Sequence, residues 1–195
     1  MAEQEEQSRT AADMEPPVPG QSRTGRAVAL ARLLHHECTH LLQLYKEKET
    51  LLVGLTPEGG RIVCLSPDTQ EPGPEGQVQR LHSALRQCLG LLHCVILKEE
   101  EEWGELEGDY ESMRKNVRQR LEHLLVSTKD LVETEDVTLE VTPDHQCNEE
   151  TDGAGGIFAL KMWTYRVLEE LIHWADHAAQ TLHALHTERE GTADI

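Results

Sequence analysis

Gly155-Gly156-Ile157-Phe158-Ala159-Leu160-Lys161-Met162-Trp163-Thr164-Tyr165-Arg166-Val167-Leu168-Glu169-Glu170-Leu171-Ile172-His173-Trp174 decides how this chain is read. A paired glycine releases the backbone into a long helix whose apolar stripe runs through Leu160, Val167, Leu171, Ala175, Ala178, Leu182 and Leu185. Phe158 and Lys161 fall one turn apart outside that stripe, so the spacing places an aromatic and a cation on a partner-facing surface.

Three more helices precede it. Ala27, Leu30, Leu34, Cys38, Leu41 and Tyr45 recur at helical spacing over 26–48; Val78, Leu81, Leu85, Cys88, Leu92 and Val95 over 75–100; Tyr110, Met113, Val117, Leu121, Leu124, Thr128 and Leu131 over 107–132. The fourth helix is expected over 156–188, with a short tail at 189–195. Residues 1–24 are acidic, polar and Pro-containing, and are expected to be a disordered tail. Residues 88–97 are apolar nearly all round, so the second helix should be the most enclosed. Glu99 to Glu102, Trp103 and Gly104 read as a break.

Segments 49–75 and 133–155 are rich in Gly, Pro and acidic residues and read as long crossovers, with 61–65 a short extended piece pressed on the bundle. Connections that run long, short, long imply an all-α, long-chain four-helix bundle with up-up-down-down topology.

Composition narrows function. A net charge of -18 over 195 residues disfavours nucleic acid and anionic lipid as partners. No apolar run reaches the roughly 20 residues that span a bilayer, so direct membrane insertion is not expected. The first residues lack the apolar core of a signal peptide, so the expectation is a cytoplasmic product of the making cell. Cys38, Cys64, Cys88, Cys94 and Cys147 are odd in number and lack C-x-x-C spacing, so mostly reduced thiols are expected, Cys38 and Cys88 packing as small apolar residues.

His36-Glu37-Cys38-Thr39-His40 matches the H-E-x-x-H zinc-hydrolase motif. With eleven histidines in a Glu-rich chain, about one such sequence in ten would carry a match by chance. Cys38 belongs to the apolar stripe, which puts His36 and His40 on the outer face, and no downstream third-ligand motif follows. His173 and His177 share the one-turn spacing on a solvated face. No nucleophile triad and no phosphate-binding glycine loop is signalled. The expectation is a non-enzyme with no catalytic residue, no metal and no cofactor.

The fourth-helix stretch resembles the interleukin-6 group of long-chain helical cytokines, in its ciliary neurotrophic factor branch. The shared features are Gly155-Gly156-Ile157-Phe158, Lys161, Trp163, Val167-Leu168, Glu170-Leu171 and Trp174. Glu107-Gly108-Asp109-Tyr110, Leu30-Ala31-Arg32 and Tyr45 add to them. The resemblance covers about 28–188, the second and third helices and both crossovers matching only in pattern and length.

The resemblance implies a neurotrophic factor that bridges an α-receptor, the leukaemia inhibitory factor receptor and glycoprotein 130 to activate Janus kinase and STAT signalling, released by a non-conventional route. Phe158 and Lys161 match the family's F-x-x-K motif for the leukaemia inhibitory factor receptor, while Trp163 and Trp174 are expected in the core or at its edge. For the α-receptor the family uses basic residues on the first and fourth helices. Here Arg32 is retained, His35 stands at a second position, and His177 and His183 replace arginines. Histidine lacks the guanidinium fork and is mostly neutral near pH 7.4, which fits a distant-species member whose receptor has changed with it. The rival readings are an intracellular helical adaptor, from the thiols and acidic tail, and the H-E-x-x-H zinc hydrolase.

Overall fold

The computed structural model describes residues 22–65, 73–132 and 138–193. It is all-helical, with four long helices and no strand among the described residues: α1 Arg23–Lys48, α2 Pro74–Trp103, α3 Asp109–Val132 and α4 Ile157–Ala193, plus one 3-10 turn at Thr50–Leu52. Nearly all of the expected tail lies outside the described residues. None of the helices is long and apolar enough to cross a membrane.

The helix boundaries follow from their caps. Helix α1 begins at Arg23 rather than 26 because the Ser22 side chain accepts from Gly25 N–H at 3.1 Å, satisfying one of the first-turn donors. Helix α2 opens on Pro74, whose missing N–H costs nothing in the first turn. It does not break at Glu99: it continues to Trp103 and ends at Gly104, whose N–H donates to Glu100 O at 2.8 Å. The reason is that Glu99 is a buried partner of α3. Helix α3 starts at Asp109, two residues after the expected 107. Helix α4 passes the expected end at 188, so most of the anticipated tail is helical. Arg189 explains part of this, donating to Leu131 O, a last-turn carbonyl for which α3 itself supplies no donor, 3.3 Å away.

Helix α1 packs on α3 and α4, and α2 packs on the same two. The start of α1 meets the end of α4, where Thr24 Oγ1 lies 2.8 Å from His186 Nδ1; its other end meets the start of α4, where Tyr45 O–H donates to Lys161 O at 3.0 Å. Tyr45 also contacts Tyr110 at the start of α3, their ring centroids 5.7 Å apart. The start of α2 meets the end of α3 through His82 and Thr128, its end the start of α3 through Glu99 and Arg114. The stripes of α2 and α4 named from the sequence are buried throughout; Leu30 in α1 and Met113 in α3 are only partly so. Fully burying each Leu in such a stripe stabilises the fold by about 1.5–3 kcal/mol. Trp163 and Trp174 are buried, as expected.

Both connecting segments lie on the bundle. Val63 is buried, its N–H donating to Glu170 Oε1 at 3.3 Å, while Gln87 exchanges two hydrogen bonds with the Cys64 backbone. Residues 138–153 run over α2. Arg86 donates to Thr142 O and Glu140 Oε2 and its carbonyl accepts from Asp144 N–H, while Gly90 lets His145 come so close that a Cβ would lie 2.6 Å from the His145 backbone nitrogen. This cover closes over Gly90 and Cys94 and adds to the helix contacts that bury 88–92 and 94–96 of α2, while His93 is half-buried. Leu97 lies beyond it and is 59% exposed, contrary to the expectation of enclosure.

The thiols follow the expectation in part: three of the five are free, with Cys38 and Cys88 packed in the core as expected, and one pair is bridged. Cys94 and Cys147 form a disulfide across 53 residues of sequence, whereas Cys38 and Cys88 are free and buried and Cys64 is free and exposed. Burial pushes the Cys38 and Cys88 thiols well up, which suits their packing role.

Candidate functional site

The ends of α1 and α2 and the starts of α3 and α4 converge around Lys161. Gly155 and Gly156 adopt φ values of 108° and 106°, open to glycine at little cost, and turn the chain into α4. The first residues of the helix are thereby thrown outward: Ile157 is 50% and Phe158 53% exposed. An exposed phenylalanine at a helix start contributes little to the core and is available as an anchor for a pocket.

Lys161 is less free than its position on the helix surface implied. Its Nζ lies 2.5 Å from Glu49 Oε2 and 5.6 Å from the centre of the Trp103 ring. Glu49 caps α1 and is buried; Lys48 flanks it at 3.4 Å. Lys161 therefore closes the end of the bundle, and the sequence motif does not translate into two equally exposed contacts. Leu51, Val53 and Trp103 are exposed at this same end. By sequence Glu49, Leu51, Val53 and Trp103 fall in connections; an apolar Leu-Leu-Val run and a Trp before glycine are the signals that mark them.

Beneath this surface is a buried ionic network. Glu99 Oε1 accepts from Tyr110 O–H at 2.7 Å and from Arg114 Nη1 at 3.0 Å, and Arg114 Nη2 also pairs with Glu111. Burial raises the Glu99 carboxyl above the usual range even though both bonds oppose it. Lys48 lies over the Tyr110 ring at 4.6 Å, linking the network to the rim. The network joins the end of α2 to the start of α3, and a groove lined by Lys98, Glu101, Glu102, Gly156, Ile157 and Leu160 opens between the end of α2 and the start of α4.

The second expected surface is partly assembled. Arg32 and His35 of α1 share a shallow groove with Asp176, Ala179, Gln180 and His183 of α4, and Arg32 and His183 extend it toward His186 and Glu190. His177 is not among the lining residues. It stacks on His173 at 6.4 Å and meets the edge of Trp174 at 5.3 Å. Burial and the nearby Arg61 lower the His173 pKa.

His36 and His40 are exposed, as the stripe implied. Glu37 is instead buried and bound by Arg120 of α3, Nη2 to Oε1 at 3.1 Å, so its carboxylate is occupied by a guanidinium. No protein-family profile matches the chain, and neither does any curated protein or solved structure.

Proposed function

We propose that this protein is a non-enzymatic, receptor-bridging cytokine of the interleukin-6 group, in the ciliary neurotrophic factor branch, with Phe158 as its anchor for a chain of the leukaemia inhibitory factor receptor type. The observation that carries the reading is Phe158 standing half-exposed at the first turn of α4, beside a Lys161–Glu49 pair and an exposed Trp103. Anchors of protein interfaces are commonly aromatic side chains ringed by polar groups that exclude water. Lys161 positions that turn and contributes its charge to the rim.

An up-up-down-down course is part of the proposal. It is supported by the start of α1 meeting the end of α4, by the start of α2 meeting the end of α3, and by Tyr45 and Glu99 both reaching Tyr110 from the far ends of α1 and α2. An α-receptor then lies along the groove of Arg32, His35 and His183, with His177 at its margin; Asp176 makes this groove less basic than an arginine-built face. A glycoprotein 130 chain completes the assembly and couples it to Janus kinase and STAT. Action is extracellular, after non-conventional release from the cytoplasm. Immobilised receptor ectodomains test the reading: wild-type protein binds and Phe158→Ala loses the leukaemia inhibitory factor receptor type chain alone.

A further inference from the structure

Cys94, Cys147, His145 and Asp152 form a cluster that the receptor surfaces leave unused. The two sulfur atoms and an Asp152 carboxylate oxygen lie within 4.8 Å of one another. His145 Nε2 is 2.6 Å from Asp152 Oδ2, Asn148 N–H donates to the same oxygen at 2.9 Å, and Cys94 Sγ lies 3.9 Å from it. Cys94 and Asp152 are buried, His145 is partly buried and Cys147 is exposed, so the cluster has a built floor and an open side. Its backbone is held by Asp144 N–H on Arg86 O and by His145 against Gly90.

Two thiolates, an imidazole and a carboxylate are a donor set suited to tetrahedral zinc, whose ligand atoms sit roughly 3.3–3.8 Å apart around the ion. The Cys94–Asp152 spacing of 3.9 Å is close to that already, and His145 Nε2 needs to withdraw from Asp152 by about 0.7 Å. Rotation of the exposed Cys147 side chain separates the sulfurs once they are no longer bonded.

We propose that reduction converts the Cys94–Cys147 disulfide into a zinc site formed by Cys94 Sγ, Cys147 Sγ, His145 Nε2 and an Asp152 oxygen. The reductant is a dithiol. One of its thiolates attacks the exposed Cys147 sulfur and Cys94 leaves as a thiolate; the second closes the reductant's own disulfide and releases Cys147. Zinc then displaces the remaining thiol protons to solvent, and the His145 ring proton resides on Nδ1 so that Nε2 can bind the metal. The same crossover is thus fastened to α2 by a disulfide in oxidising surroundings and by zinc in reducing ones.

Zinc alone is the probe, offered to the full chain against a chromophoric chelator, with the protein either oxidised or reduced by a phosphine. The reduced protein should take up one equivalent at least tenfold more tightly than the oxidised one, and cobalt should give a thiolate charge-transfer band with tetrahedral visible bands. Cys147→Ser and Asp152→Asn should each weaken binding at least tenfold. Cys64→Ser and a His36→Ala, His40→Ala double variant should retain it. Equal uptake in both redox states, no thiolate band, full uptake by Cys147→Ser, or loss in either control variant would overturn the assignment.

Discussion

Lys161 Nζ lies 2.5 Å from Glu49 Oε2, tying the first turn of α4 to the residue that caps α1. Removing the cation leaves a buried carboxylate with Lys48 as its remaining close cation, at 3.4 Å. Lys161→Met should therefore destabilise the fold by about 1–3 kcal/mol, whereas Phe158→Ala, at an exposed position, should change stability by no more than about 0.5 kcal/mol. Urea unfolding of the two variants measures both. A Lys161→Met protein as stable as wild type would show that the pair does not hold the bundle end.

Arg114 is almost wholly enclosed and pairs with Glu99 and Glu111. Arg114→Met should cost about 3–5 kcal/mol, because it strands the Glu99 carboxyl in the core. Combining it with Glu99→Leu should recover much of the loss, since an apolar pair replaces an ionic one. A double variant no more stable than the single one would show that lost packing, rather than a stranded charge, sets the penalty.

His82 is buried between Thr128 Oγ1 at 2.6 Å and Glu140 O at 2.5 Å. Burial, helped by the charges of Arg86 and Lys129, lowers its pKa despite the bond to Glu140 O. The folded state therefore binds fewer protons than the unfolded chain, whose histidine titrates near ~6.5. The contribution is fully present above that value and is lost as pH falls from it toward the folded pKa. Urea midpoints should drop between pH 7.5 and 5.5, and His82→Gln should flatten the drop without abolishing it, because His93 and His173 are lowered too. An unchanged slope in His82→Gln would remove this residue from the pH response.

Residues 138–153 are fastened to α2 by Arg86, by the approach at Gly90 and by the disulfide. Under oxidising, metal-free conditions Cys147→Ser should lose about 2–4 kcal/mol. Gly90→Ala should push His145 outward and open the segment to proteolysis while the helices persist. Protease resistance equal to wild type in Gly90→Ala would contradict the docking.

Much of the helical scaffold was legible in the sequence because apolar residues at 3.6-residue spacing report directly on burial: Val78 to Val95 and Leu160 to Leu185 lie where their period puts them. What escaped depends on contacts between distant segments. By sequence Glu99 reads as part of an acidic break, because its partners, Tyr110 and Arg114, stand on the next helix. Cys94 and Cys147 are brought together by the chain's path over Gly90, which spacing cannot encode. At the candidate site the exposure of Phe158 followed from its register, but the capture of Lys161 by Glu49 did not, since it needs α1 and α4 to meet at that end.

The most direct test applies purified protein to cells bearing the α-receptor, the leukaemia inhibitory factor receptor and glycoprotein 130, and reads STAT phosphorylation alongside a folding check by circular dichroism. Wild-type protein should signal, and Phe158→Ala, with its helical spectrum intact, should lose at least tenfold in potency, the share expected of a residue worth about 1.4 kcal/mol or more at the interface. Undiminished signalling by Phe158→Ala would contradict its role as the anchor, and no signalling by the wild-type protein with any receptor set would contradict the cytokine reading itself.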